Sequence, residues 1–141
     1  MGSYRGWGGA WSPRTAPDPV DRATFEAIVA ESLDDVPEEF RAAMENVEIV
    51  VENWPDAQTM QLAGVDRPAQ LLGFYHGVPL TRRDHNYSLV LPDKISIYRM
   101  PILMRCRTPG QVRDMVGRVV RHEVAHHFGI DDDRLREIGA Q

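Results

Sequence analysis

One stretch near the end of the chain constrains the fold more than any other part of the sequence. It begins at Thr108, a residue that caps helices well, and continues with a proline at the first helical position and Gln111 at the capping-box position. It ends at Gly129, since glycine readily adopts the left-handed conformation that stops a helix. Together these signals predict a helix over residues 109–128.

The side chains along this predicted helix form one stripe whose chemistry changes along its length. At about 100° per residue, the core-facing positions of the first turns are aliphatic: Val112, Met115, Val116 and Val119. The same stripe then becomes ionisable in the last two turns, with His122, Glu123, His126 and, at its flank, His127. Burying such groups without partners costs free energy, so the pattern predicts that they bind something. His127 projects away from His126, and we expect it to pack or to support the site.

The spacing of the two histidines is typical of a metal site. His122 and His126 stand four residues apart, so their imidazoles project from successive turns and can hold one Zn²⁺. Glu123 is rotated by one position, so we expect it to reach a zinc-bound water as a general base. This H-E-x-x-H arrangement is typical of zinc hydrolases. It predicts one Zn²⁺ per chain and a zinc-bound water from which Glu123 takes a proton.

The third metal ligand is predicted to lie beyond the helix, because catalytic zinc sites usually have three protein ligands. After Gly129 the chain continues into a run of three aspartates, 131–133. Asp132 lies ten residues after His122, which completes the pattern H-E-x-x-H-x-x-G-x-x-D. We therefore predict that Asp132 is the third ligand and that Asp131 caps a short helix through about residue 138.

The remaining elements predict an α+β fold. The predicted helices run from a cap at Asp18 or Asp21 to about Ser32 and over 37–44, and the predicted strands are 47–51, 71–75 and 94–100. Segments 54–70 and 80–93 have no clear period and are predicted as loops, although either could contain a short element. Residues 1–19 are predicted to be a flexible arm, and 20–141 a single domain.

Composition narrows the class of function. With 16 Lys+Arg against 21 Asp+Glu, the net charge of −5 argues against a nucleic-acid-binding module. No apolar run is long enough for a membrane span, so we expect no membrane association. The single cysteine, Cys106, excludes an internal disulfide and favours a cytoplasmic setting. We expect Cys106 to be a buried thiol, with an inhibitory zinc ligand as the alternative.

Three segments carry a more specific resemblance. LLGFYHGVPLTRR (71–83), LPDKISIYR (91–99) and HEVAHHFGIDDDRLRE (122–137) together resemble the zincin-like metallopeptidase, or minimal-zincin, family of small bacterial proteins. The resemblance spans roughly residues 20–138. It implies a small sheet of three to four strands packed against a long active-site helix, with N-terminal helices. It also implies zinc held by two histidines and one aspartate, and metallopeptidase activity on a peptide or protein substrate.

Two alternatives to a peptidase stay open. Metzincins carry a methionine turn beneath the metal, whereas all six methionines here lie upstream of His122 and nine residues follow Asp132. In metzincins the segment after the third ligand forms the lower wall of the substrate cleft, and here we expect that wall to be missing. A cleft with one wall would bind an extended peptide weakly unless a partner or a second copy completes it. The chain could therefore be a zinc-binding module with no or weak turnover, acting in regulation or protein binding. A purely structural zinc site is the other alternative.

Other residues have open roles. Strand 94–100 is predicted either as a core strand or as a sheet edge to which a substrate peptide adds. His76 is predicted to lie in a loop. The possible donors to a developing oxyanion, each also explicable as ordinary structure, are His85, Tyr87, Tyr98 and Arg99.

Overall fold

A computed structural model describes residues 20–44, 46–77 and 93–129 and shows a three-stranded sheet with a long helix packed against it. In chain order the elements are α1 (Arg22–Asp34), α2 (Glu38–Ala42), β1 (Val47–Glu52), α3 (Ala57–Ala63), a 3₁₀ turn (Pro68–Gln70), β2 (Gly73–His76), β3 (Asp93–Tyr98), α4 (Arg99–Leu103) and α5 (Pro109–His127). The α+β class, the N-terminal helices and the small sheet predicted from the sequence are confirmed. No helix in these three ranges is long and apolar enough to cross a membrane.

The sheet has the order β1-β3-β2, with β3 in the centre. β3 pairs in parallel with β1 and antiparallel with β2. Both faces of β3 are buried, because Ile95 and Ile97 alternate with Ser96 and Tyr98 and all four are almost fully covered. The interpretation of this segment as an edge strand is therefore wrong, and the core-strand alternative is confirmed.

Helix α5 follows its sequence signals closely. The Thr108 hydroxyl accepts a hydrogen bond from the Gln111 amide at 3.1 Å, as expected of an N-cap. Gly129 has a φ of 78°, the left-handed conformation predicted for the stop. The aliphatic stripe packs into the core against α1, where Phe25, Ile28 and Val29 are buried. Asp21 caps α1, since its carboxylate accepts from the Thr24 amide at 2.8 Å.

The segment 54–70, predicted as a loop, contains α3 and the 3₁₀ turn. The Asp56 carboxylate accepts from the Thr59 amide at 2.7 Å and begins α3, and Gly64 ends it in a left-handed conformation. A seven-residue helix is too short to show a clear hydrophobic period, so the cap residues were its best signal. The open alternative that this segment contains a short element is thus confirmed.

Two further boundaries differ from the predictions. β3 ends at Tyr98, and the chain enters α4 directly, with Pro101 in its first turn, where proline is tolerated. β2 begins at Gly73 and includes His76, so the prediction that His76 lies in a loop is wrong. The predicted arm 1–19 and the predicted helix after Asp131 lie outside the described residues, as does most of segment 80–93.

Candidate metal centre

The last two turns of α5 bring together the three residues of the predicted motif. The donor atoms of His122, Glu123 and His126 all lie within 4.8 Å of one another. The two imidazole rings have their centroids 4.5 Å apart, and His126 Nδ1 lies 3.2 Å from Glu123 Oε1. These three residues are called the metal group below. Their proximity follows directly from helical spacing, since positions i and i+4 are neighbours on a helix surface.

Burial differs among the three residues. Glu123 is only 6% exposed, because its position lies at the centre of the core-facing stripe of α5. His122 and His126 lie at the flank of that stripe and are half-buried. The carboxylate is therefore held at the edge of the core, while both imidazoles face the protein surface.

The donor chemistry of the metal group fits zinc. Two imidazole nitrogens and a carboxylate oxygen are ligand types that Zn²⁺ binds in catalytic sites. Glu123 was predicted to act on a water rather than on the metal, but its carboxylate lies within the same 4.8 Å group. Its role as a base therefore stays a prediction. Asp132, the predicted third ligand, lies outside the described residues, and its role also stays a prediction.

Gly73, at the start of β2, makes close contact with α5 beside the metal group. A Cβ atom at this position would lie 2.7 Å from Val119 Cγ1 and 3.3 Å from Glu123 Cγ. A side chain there would have to displace Val119 or shift the strand against the helix. Glycine at position 73 thus lets β2 lie directly against the turn that precedes the metal group. The sequence signal for this contact was a glycine within an apolar strand.

A buried hydrogen-bond network supports α5 next to the metal group. The Tyr75 hydroxyl donates to Asp93 Oδ2 at 2.6 Å, and His127 Nδ1 lies 2.9 Å from the same oxygen. The three residues come from β2, β3 and α5, so the network joins both strands to the helix. Asp93 and His127 are almost fully buried. The expectation that His127 packs or supports the site is confirmed, whereas its partner Asp93 was not predicted.

We expect Asp93→Asn to destabilise the protein through this network. The neutral amide oxygen accepts the hydrogen bonds from Tyr75 and His127 more weakly than the carboxylate does, and the amide NH2 group places a buried donor where the carboxylate has an acceptor. The free energy of unfolding should fall by about 1–3 kcal/mol. Urea denaturation in the presence of a chelator measures this without a metal contribution. Glu48→Gln, at an exposed position of β1, is the matched control. If Asp93→Asn changed the free energy of unfolding as little as Glu48→Gln does, the network would not be stabilising.

His76 lies on the other face of the sheet from the metal group. Gly73 and Tyr75 contact α5, so the alternation of side chains in β2 directs His76 away from that helix. Its Nε2 lies 3.1 Å from Ser96 Oγ, and that hydroxyl donates to Glu52 Oε2 at 2.7 Å. Burial lowers the pKa of His76, and Lys94 adds to the effect against the opposing influence of Glu52. This histidine belongs to a separate polar network.

Three other residues that the sequence analysis considered for the site have the surroundings of ordinary structural residues: Tyr98, Arg99 and Cys106. Arg99 is buried and donates from Nη2 to the Val20 carbonyl at 3.0 Å. Tyr98 is almost fully covered, and burial raises its pKa. Cys106 is part of the hydrophobic core, and burial raises the pKa of its thiol, as expected of a buried thiol rather than a thiolate ligand. His85 and Tyr87 lie outside the described residues.

A comparison with known protein families gives a match over most of the chain. The model of the zincin-like metallopeptidase family matches residues 44–140, which is well over half of the chain. The matched range includes the whole sheet, α5 and the three segments on which the sequence resemblance rests. A comparison with curated proteins found no match to the chain.

Proposed function

Because the chain belongs to the zincin-like metallopeptidase family, we propose that it is a zinc-dependent hydrolase that cleaves peptide bonds at the metal group. The observation that carries this proposal is the convergence of His122, Glu123 and His126 within 4.8 Å at the end of α5. A buried carboxylate beside two half-exposed imidazoles fits a reactive site open to substrate better than a closed structural one.

The proposed ligands are His122, His126 and Asp132, one zinc per chain. A bound zinc ion supplies Lewis acidity, which lowers the pKa of water and polarises the substrate carbonyl. The network of Tyr75, Asp93 and His127 would hold the end of α5 in place, because a ligand histidine depends on a rigid backbone for its position. Three protein ligands leave a position open for substrate.

Glu123 is the proposed general base. Its carboxylate takes a proton from water as the water oxygen bonds to the carbonyl carbon of the peptide. The same proton then passes to the nitrogen of the leaving amine as the C–N bond breaks. The products are one carboxylic acid and one amine, which together contain the atoms of the peptide and one water. Near-complete burial of Glu123 keeps the carboxylate in a fixed position for both transfers.

The expected substrate is a peptide or protein, and a partner or second copy that completes the cleft remains part of the proposal. The setting is proposed to be the cytoplasm of a bacterial cell. The alternative, a zinc-binding module without turnover, has the same metal group and differs only in the absence of cleavage. A measurement of hydrolysis therefore separates the two.

We expect the purified protein to contain one zinc ion per chain and to cleave members of a diverse peptide library. Elemental analysis gives the identity and number of metal ions, and mass spectrometry of the library detects new peptide termini. The new termini should vanish with a chelator and return when zinc is restored. A zinc-loaded protein that leaves the library intact would instead favour the binding module, and a protein without metal affinity would overturn both.

A further inference from the structure

An apolar pocket lies beside the metal group, toward the start of α5. It has a volume of about 320 Å³, and its apolar walls are formed by Leu72, Met115 and Val119. His122 and Glu123 form the end of the pocket nearest the metal group. A group bound in this pocket would therefore lie next to the bond that the proposed reaction breaks.

The close contact at Gly73 shapes this pocket. Because Gly73 has no side chain, the start of β2 lies against Val119, and Leu72 is brought over the same turn of the helix. Met115 and Val119 are four residues apart on α5 and extend the apolar surface away from the metal group. Concave apolar surfaces of this size are typical of sites that bind a substrate group.

Arg118 is the cation in the lining of this pocket. It lies one helical turn before His122, so its guanidinium can reach along the same side of α5. Its side chain is exposed, and within residues 20–44, 46–77 and 93–129 it forms no ion pair. Arg113, earlier on the same helix, differs because it lies 3.7 Å from the Glu31 carboxylate. Arg118 is thus an exposed cation in the lining of an apolar pocket.

We propose that this pocket binds an apolar side chain of the substrate and that Arg118 binds a carboxylate adjacent to it. Guanidinium and carboxylate groups match in geometry and can form two parallel hydrogen bonds. A cation here also offsets the repulsion that a carboxylate would experience from Glu123 and from a chain of net charge −5. The substrate class is therefore a peptide with an apolar residue next to a carboxylate. This inference rests on the proposed function for its connection to cleavage.

Such a carboxylate has two sources, the C-terminus of a peptide or the side chain of a neighbouring Asp or Glu. Four peptides of otherwise identical sequence distinguish them. The first ends at the apolar residue with a free carboxylate, and the second ends there with an amide. The third continues with Glu after the apolar residue, and the fourth continues with Gln, both with amidated C-termini.

We expect the zinc-loaded protein to prefer one carboxylate peptide over its neutral counterpart by about 10- to 100-fold in kcat/KM. Arg118→Gln should remove this preference, because it should lower kcat/KM for the carboxylate peptide and leave kcat/KM for the neutral peptide unchanged. Arg113→Gln, the matched control on the same helix, should retain the preference. If Arg118→Gln lowered kcat/KM equally for the charged and the neutral peptides, the assignment of Arg118 as the carboxylate-binding residue would be wrong.

Binding of the four peptides, measured by calorimetry, tests the pocket independently of turnover. Binding that depends on the carboxylate and on Arg118 but occurs without cleavage would support the pocket and contradict the proposed hydrolase. Cleavage with no dependence on the carboxylate or on Arg118 would overturn the pocket and leave the hydrolase intact. The absence of both binding and cleavage would overturn both.

Discussion

Glu123→Gln is expected to abolish peptide hydrolysis while the zinc content stays at one ion per chain. Glutamine has the same size and can fill the buried position at the edge of the core. Its amide cannot accept a proton from water, so the general-base contribution is lost. Such contributions are about 10²- to 10⁴-fold in rate. The measurements are kcat/KM on a peptide identified from the library and the zinc content of the same preparation.

Glu26→Gln, at an exposed position of α1, controls for the loss of a carboxylate as such. Retained turnover in Glu123→Gln would refute the role of Glu123 as a base. Loss of zinc in that variant would give a different answer. It would make Glu123 a ligand, which its position within the 4.8 Å group also permits. The experiment therefore decides between the two roles that proximity alone leaves open.

His126→Ala is expected to abolish tight zinc binding and, with it, hydrolysis. The predicted site has three protein ligands, and removing one imidazole leaves two. Wild-type protein should be stabilised by zinc, by about 2.7 kcal/mol when free zinc is a hundredfold above its Kd. The variant should lose this stabilisation. Elemental analysis and the difference in Tm with and without zinc measure the two effects.

His76→Gln is the matched control, because it removes an imidazole from β2 without touching the metal group. Its zinc content should equal that of the wild type. Asp132→Ala applies the same measurement to the predicted third ligand, and zinc loss equal to that of His126→Ala would establish its role. Full zinc content in His126→Ala would contradict the metal centre itself.

The metal group could be predicted from the sequence because every local signal agreed. Thr108 and Gly129 marked the ends of α5, and the period of the valines fixed which side faces the core. His122 and His126 then had to be neighbours, because helical geometry alone sets their separation. A site built within one helix is thus the kind that a sequence reveals most directly.

Contacts between distant segments could not be predicted in this way. Asp93 and His127 are 34 residues apart, and nothing in either segment indicates the other. The central position of β3 was equally hidden, because alternating residues indicate a strand but not the neighbours with which it pairs. The close approach at Gly73 depends on how β2 and α5 meet, which only the folded structure shows.

The parallel pairing of β1 with β3 joins segments far apart in the chain, so we expect formation of the sheet to be the slow step of folding. Val47 pairs with Asp93, so the chain between them must close into a long loop before any contact between the strands can form. Closing this loop costs conformational entropy before the contacts between the strands can compensate for it, and such non-local pairing slows folding. The two histidines on α5 need only local helix formation to become neighbours. The Asp93 carboxylate that contacts His127 lies on β3, so we expect the end of α5 to gain this support only when β3 is in place.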